Sequence, residues 1–434
     1  MFKKFSFLGV LLLASLMSHA QFLMDMVDTT TETGRGMLSI YKKYDHLKFS
    51  GYIQPQFQIA QSEGVKSFDG GDFSPRVSNR FMLRRSRVRI DYVHFQGEEG
   101  PGVQFVFQFD ANERKFTVRD VWGRVFENKY KLFSLTTGIF ARPFGFETNY
   151  SSSDRESPER GRMNQTLMKS ERDLGAMVTF DSRRKKFALN KLKIDLGLFN
   201  GQGINAEGDF DNRKDLIGRV ALKPIALNKK MQLSAGTSFL YGGLENNTKY
   251  HYSTKEQGGI KMQVVDSSVN NIGKVSPRNY YGADMQLKFT HNKEIVTEIR
   301  GEFIAGTQTG VANNSETPTA LLTGMNGFYA RNFNGAYFYL LQNIFSTKHQ
   351  LLVKYDWYDP NTNVKENEIG ASGSNFSAAD IKFNTLGLGY VYYITPNVKS
   401  VLYYAMVKNE KTQLAGFTKD IKDNILTMRL QFRF

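Results

Sequence analysis

The segment Leu426-Thr427-Met428-Arg429-Leu430-Gln431-Phe432-Arg433-Phe434 alternates strictly, apolar at even positions and polar or charged at odd ones. A period of two describes a strand with two unlike faces. A half-buried strand of a soluble sheet carries the same pattern, but alternation that stops on a terminal aromatic has the form of the last strand of an outer-membrane barrel. On that reading Leu426, Met428, Leu430, Phe432 and Phe434 face lipid. Arg429, Gln431 and Arg433 face a water-filled interior, and Phe434 is the assembly signal.

The other end of the chain agrees. Lys3 and Lys4 precede an apolar run from Phe5 to Met17, and Ser18-His19-Ala20 supplies small residues for cleavage before Gln21, which predicts a signal peptide over 1–20 and export to the Gram-negative outer membrane. The run is shorter than the ~20 apolar residues a spanning helix needs. No other stretch approaches that length, which excludes a helical membrane protein. The chain has 0 Cys, so disulfides, thiolate metal sites and a lipidated amino-terminal cysteine are excluded together. Residues 21–46 read as a polar periplasmic lead with no assigned function.

With 41% hydrophobic residues, 35 Phe, 21 Tyr and 38 Gly, the chain is too polar for helical spans and too aromatic for disorder. The net charge is +15, or +13 once Lys3 and Lys4 are removed (15 minus 2). Nucleic acid would answer such a charge, but an exported barrel has little access to it. An anionic solute or the anionic outer leaflet fits better.

Sixteen alternating segments follow: 47–60, 80–95, 102–110, 115–128, 131–141, 173–182, 190–200, 213–224, 230–241, 278–290, 294–305, 330–344, 349–358, 380–394, 398–408 and 422–434. Most are near the ~9–11 residues that cross a bilayer at a ~45° tilt. The connections sort by parity. After odd segments they are long (61–79, 142–172, 201–212, 242–277, 306–329, 359–379, 409–421), with 111–114 the short exception; after even segments they are short. Long external loops on one end and short periplasmic turns on the other are the habit of outer-membrane barrels. The fold expected over 47–434 is therefore an all-β transmembrane antiparallel barrel of 16 strands, a porin-sized number that leaves an aqueous channel.

Parity then assigns faces. In 80–95 one face carries Met82, Arg84, Ser86, Val88, Ile90 and Tyr92, and the other Phe81, Leu83, Arg85, Arg87, Arg89 and Asp91. An Arg facing lipid costs ~2–4 kcal/mol at the bilayer midplane, so three would cost roughly 6–12 kcal/mol. Arg85, Arg87 and Arg89 are therefore placed in the lumen, and Arg84 near the outer interface. Rungs ~6.6 Å apart on a tilted strand form a ladder about 10 Å deep, along which an oxyanion passes between guanidinium forks. The plainer reading is that such arginines pair with neighbouring acids and stiffen the wall. The same exercise places Arg219, Arg300, Lys354 and Arg429 inside near mid-height, several with an acid two residues away, such as Glu298 and Glu302 beside Arg300.

The connection 142–172 is the second candidate, because loops of that length are usually functional or disordered and a porin of this width needs narrowing. It carries six basic residues, Arg142, Arg155, Arg160, Arg162, Lys169 and Arg172, against five acidic ones. Mixed charge also suits a solvated external loop.

Four motifs resemble the phosphate-selective porin O/P family of outer-membrane anion porins. They are Gly138-Ile139-Phe140-Ala141-Arg142-Pro143-Phe144-Gly145-Phe146-Glu147, Glu171-Arg172-Asp173-Leu174-Gly175, Phe49-Ser50-Gly51-Tyr52-Ile53-Gln54-Pro55-Gln56 and Lys354-Tyr355-Asp356-Trp357-Tyr358. The resemblance covers most of the chain after residue 46, in order. It implies a homotrimer, an inward third loop forming the constriction, and lumen arginines and lysines conducting phosphate or related anions. Expected partners are thus small anions, outer-membrane lipid and lipopolysaccharide, and the barrel-assembly machinery.

Other classes are less consistent with the residues. Of six His, His19 falls in the signal segment and His46, His94, His251, His291 and His349 fall mostly at turns or strand ends, with no nucleophile or metal-ligand spacing. No enzyme, cofactor or metal is expected. A general diffusion porin without phosphate preference, and a structural or adhesive barrel, stay open.

Overall fold

The computed structural model describes residues 46–95 and 100–434. The expected signal segment 1–20 and the lead from 21 to 45 lie outside the described residues. Each alternating segment becomes a strand of one antiparallel sheet. In chain order these are β1 (Leu47–Ala60), β2 (Asn79–Phe95), β3 (Pro101–Ala111), β4 (Phe116–Phe126), β5 (Phe133–Ala141), β6 (Arg172–Asp181), β7 (Leu192–Phe199), β8 (Asp215–Ala226) and β9 (Met231–Glu245). After a short hairpin come β12 (Val275–Thr290), β13 (Val296–Gly310), β14 (Phe328–Asn343), β15 (His349–Asp359), β16 (Phe383–Thr395), β17 (Val398–Asn409) and β18 (Ile425–Arg433).

These sixteen strands (nine plus seven) close on themselves. β1 pairs β18 with Ile53 opposite Phe432 and Phe57 opposite Met428. The Gly51 N–H donates to the Phe434 carbonyl at 3.1 Å, and the Phe434 N–H to the Gly51 carbonyl at 3.0 Å. Closure leaves no strand edge, which a sheet in hydrocarbon requires. Met428 and Phe432 stand exposed on the outer face while Arg429 and Gln431 are buried inside, as the alternation requires; Phe434, at the strand's end, borders the cavity mouth. Ile299, Phe303, Leu351 and Val353 face out in the same way.

Two features depart from the expected pattern. The segment 242–277, read as a plain loop, contains the hairpin β10 (His251–Gln257) and β11 (Ile260–Asp266). Gly258 and Gly259 turn it with φ of 59° and 78°, the two positive values that a tight two-residue hairpin turn demands. Seven residues per strand is too short to cross a bilayer, so the hairpin stands on the loop end and sets β10 beside the start of β14.

The second departure is a bulge in β2. Gln54 lies opposite Arg85 and Pro55 opposite Leu83, so Arg84 is an extra residue in the ladder. A bulge shifts parity by one. Toward the short-turn end the expected faces hold: Val88 faces out and Arg87 faces in. Toward the loop end they invert, so Phe81 and Leu83, expected inside, share the outer face with Phe57 and Pro55, and the Phe57 and Phe81 rings sit 4.6 Å apart.

The connection 142–171 turns into the barrel and carries the helix α1 (Arg162–Leu167). Phe144, Met163, Leu167 and Met168 are buried among Tyr280, Ile304, Phe333 and Tyr337, inward residues of β12 to β14. Phe144 meets Tyr280 edge to face at 5.9 Å. Gly335 admits this packing, because a β-carbon there would lie 2.8 Å from the Met163 sulfur. A hydrophobic core thus lies inside the barrel, where the loop packs most closely on β12–β14 and the cluster continues to Phe199, Ile217 and Leu240 of β7–β9; smaller clusters sit around Phe73 and around Ile369.

Candidate functional site

The inward loop is fixed to the wall at successive points. Gly145, with φ of 70°, turns the chain so that Glu302 of β13 accepts the Phe146 and Glu147 N–H groups, each at 3.1 Å. Glu147 in turn accepts from Gly161 N–H at 2.9 Å, Asn164 Nδ2 at 2.8 Å and the Tyr339 hydroxyl at 2.8 Å. Ser152 Oγ meets the Tyr52 hydroxyl at 2.6 Å and Arg87 Nη1 at 2.9 Å. Lys399 Nζ donates to the carbonyls of Ser153 and Arg155 at 2.8 and 2.9 Å.

Two carboxylates of the loop take three of the six expected lumen arginines, Arg85, Arg300 and Arg429. Glu156 receives Arg300 through both Nη atoms at 2.9 and 3.0 Å. Glu159 receives Arg84 Nε at 2.8 Å, Arg85 Nη2 at 2.6 Å and Arg429 Nη2 at 3.0 Å. Burial pushes the Glu159 carboxyl up, but the guanidiniums of Arg84, Arg85 and Arg429 together hold it well below the usual carboxylate range. Arg84, expected on the outer face near the interface, is turned inward by the bulge and becomes part of this cluster.

With the β12–β17 side filled, the open space lies against β1–β8. It is a cavity of about 520 Å³, reaching from Lys48 near the short-turn end to Arg172 at the root of the loop. Ten basic residues line it (Lys48, Arg87, Arg89, Arg119, Arg124, Arg155, Arg172, Lys193, Arg219, Arg433) against three acidic ones (Asp120, Glu171, Asp195).

Most of these cations have a carboxylate partner. Arg87 pairs with Asp110 at 2.9 Å, Arg89 with Asp91 at 2.7 Å, Arg219 with Asp284 at 2.6 Å, Lys193 with Asp195 at 2.9 Å and Arg433 with Asp154 at 2.7 Å. Arg119 and Arg172 share Glu171, and Arg172 also reaches Asp120 at 3.2 Å. Lys48, Arg124 and Arg155 form no ion pair among the described residues. Arg124 donates to Thr136 Oγ1 at 2.8 Å and lies 4.9 Å from the Trp122 ring centroid.

All seven expected lumen residues face inward, but only Arg87, Arg89 and Arg219 meet the cavity. Arg85, Arg300 and Arg429 are held in the loop clasp, and Lys354 donates to the Glu159 carbonyl at 3.3 Å between Glu147 and Asp356. The three-rung ladder is therefore corrected to two rungs, because the top one holds the loop. Of the loop residues, Arg155 and Arg172 reach the cavity. Arg160 pairs with Glu171 at 2.5 Å, Arg142 donates to the carbonyls of Ser170 and Gly201, Arg162 stacks against Phe68 and Phe383, and Lys169 reaches Glu316 at the surface.

Sequence reasoning missed four lining cations: Lys48, Arg119, Arg124 and Lys193. Lys48 and Lys193 share parity with Tyr52 and Asp195 and were legible. Arg119 sits at a second bulge, where Gln108 pairs Asp120 and Phe109 pairs Val118. Its signal was the vicinal pair Arg119-Asp120, two charged neighbours inside one strand, as with Arg84-Arg85.

Comparison with family models gives no match, and comparison with curated proteins gives none either. Comparison with solved structures gives several. The chain is similar to the outer membrane channel DcaP of Acinetobacter baumannii, with a TM-score of 0.52 at 10% identity, over 89% of this chain and 97% of that one. It is similar to an anion-selective porin from Comamonas acidovorans, with a TM-score of 0.51 at 11% identity, over 89% and 99%. A trimer form of the outer membrane protein OmpT of Vibrio cholerae gives 0.50 at 9% identity, over 89% and 99%. The fold is that of outer-membrane porins and channels. At these identities the likeness speaks for the barrel alone and does not extend to the phosphate-selective porin O/P family.

Proposed function

We propose that this chain is a passive outer-membrane porin whose lumen favours small anions, phosphate or related oxyanions among them, and that it catalyses no reaction. The observation that carries this reading is the excess of ten basic over three acidic side chains on a single cavity. Fixed charge of one sign between low-dielectric walls concentrates the opposite ion and repels its own kind. On this reading the short-turn end faces the periplasm and the hairpin and long loops face outside. Oligomerisation as a homotrimer is in keeping with the trimer form of one neighbour, and the closed terminal strand is the part the assembly machinery would read.

A second reading, a general diffusion porin without phosphate preference, draws on the same list. Seven of the ten lining cations already have a carboxylate partner, which weakens the field they project. Single-channel reversal potential in asymmetric KCl separates the two, repeated with millimolar phosphate. Anion-selective potentials that shrink as salt screens over ~10 Å at 0.1 M, with chloride current reduced by phosphate, support the proposal. Anion selectivity without phosphate block leaves an anion porin of another solute. Cation selectivity overturns the proposal.

A further inference from the structure

The short-turn end of the barrel carries a charge concentration of its own, away from the cavity. Three neighbouring turns, 127–132 between β4 and β5, 182–191 between β6 and β7, and 227–230 between β8 and β9, hold nine Lys or Arg (two, five and two) and one acid, Glu127. The turns further round, 291–295, 344–348 and 396–397, hold two Lys and one acid. Glu127 is occupied by its own turn, where it accepts from the Tyr130 and Leu132 N–H groups. The nine cations form no ion pair among the described residues.

The middle turn contains the run Arg183-Arg184-Lys185-Lys186 and is held in one shape. Arg183 N–H donates to the Lys131 carbonyl at 2.9 Å, Phe187 N–H to the Arg184 carbonyl at 3.2 Å, and Asn190 Nδ2 to the Lys185 carbonyl at 2.7 Å. The Arg183 guanidinium is spent on the carbonyls of Phe133 and Glu127. Arg184, Lys185 and Lys186 are left exposed. The turn folds against the outer side of the wall: Phe133 and Phe180 stand opposite each other at the parity of the exposed Leu135 and Val178, with rings 5.5 Å apart. The Phe187 ring joins them 6.3 Å from Phe180, and the Arg184 guanidinium lies 5.7 Å from the Phe187 centroid. Tyr130, Leu189 and Leu227 of the same three turns are exposed as well. Aromatic side chains at the end of a lipid-facing band mark the level of the headgroups.

We infer that Arg184, Lys185 and Lys186 bind the phosphodiester headgroups of anionic phospholipid in the periplasmic leaflet. Arg184 offers a planar fork to phosphate oxygens, and the two lysines add compact charge beside it. Phe187 ties this tract to the lipid-facing wall, so the cations stand where acyl chains give way to headgroups. Basic side chains over exposed apolar ones suit a lipid surface, whereas an acidic protein would call for the charge alone. The inference rests on the barrel orientation of the proposed function, and orientation is therefore measured separately.

The full chain in neutral detergent is offered an equimolar mixture of phosphatidylglycerol and phosphatidylcholine with the same acyl chains, and bound lipid is counted by native mass spectrometry. Each basic residue near an anionic headgroup is worth about fivefold, so phosphatidylglycerol is expected to be retained at least about tenfold over phosphatidylcholine. Replacing Arg184, Lys185 and Lys186 together by Gln should bring the ratio toward one. Lys249→Gln, Lys255→Gln and Lys274→Gln together, which remove the same charge from the loop end, should leave it unchanged. Phe187→Ala, with all charges kept, should lower it in part. Equal retention of the two lipids by the wild type, as a docking surface for an acidic protein would give, or an undiminished ratio in the triple Gln variant of the turn, overturns the site. For orientation, Ala188→Cys in cells is treated with a maleimide-polyethylene glycol too large to pass the barrel, and modification is expected only after the outer membrane is opened. Modification in intact cells would remove the orientation beneath the inference; protection there without lipid preference would remove this site alone.

Discussion

Glu159 gathers three guanidiniums from two strands, and that single carboxylate decides which arginines are free to meet solute. Removing one partner of a buried ion cluster leaves the others uncompensated, at a cost of about 3–5 kcal/mol. Glu159→Gln is therefore expected to release the loop locally while the barrel stays closed, seen as faster proteolysis within 142–171 and a larger, noisier single-channel conductance. Unchanged conductance and cleavage would mean that the clasp does not hold the loop. At the neighbouring rung, Arg87→Glu should shift selectivity toward cations, whereas Val88→Asn, on the lipid face, should leave selectivity alone and only weaken insertion. The faces of Arg85, Arg87, Arg89, Arg219, Arg300, Lys354 and Arg429 were legible from parity, since lipid excludes charge. Their partners were not, because pairing with Glu156 or Glu159 depends on the path of a loop whose sequence has no periodicity to read.

Among the elements, strands were read to within a few residues because alternation and loop length both report on them. Bulges were not, because a one-residue insertion leaves the local pattern intact and reverses every face beyond it. β1 and β18 meet through Gly51, where a β-carbon would collide with the Phe434 ring. Gly51→Val and deletion of Phe434 should each lower the yield of folded, heat-modifiable barrel while leaving the conductance of assembled protein unaltered. Equal yield in both would remove the terminal strand from the assembly argument. The loop 410–424 carries a pH dependence. Asp423, ordinarily near 3.8, is pushed up to about 6 by burial, opposed by Arg162 and reinforced by Asp420. A raised carboxyl favours the protonated form in the folded loop, so its stabilisation is complete below about pH 4 and lost as pH rises through 6. Cleavage in 410–424 should be slower at pH 5 than at pH 7.5, and Asp423→Asn should flatten the difference.

At the scale of the whole molecule, the barrel is filled unevenly. Phe144, Met163 and Leu167 fasten the loop to β12–β14 within a hydrophobic core, and the cavity lies along β1–β8, where ten basic residues line it. Anion preference on this account comes from which half of the wall stays bare, since both halves carry arginines. The chain has 0 Cys, so single cysteines can be placed without background. The most direct measurement is the response of single-channel current to a small, negatively charged thiol reagent in Gln108→Cys and Ala221→Cys, on the bare wall, and in Ala405→Cys, buried against the core on the filled side. Gln108→Cys and Ala221→Cys are expected to react quickly and lose current, with Ala405→Cys unaffected. Rapid block at Ala405→Cys with Gln108→Cys and Ala221→Cys silent would place the path on the opposite wall and contradict the account.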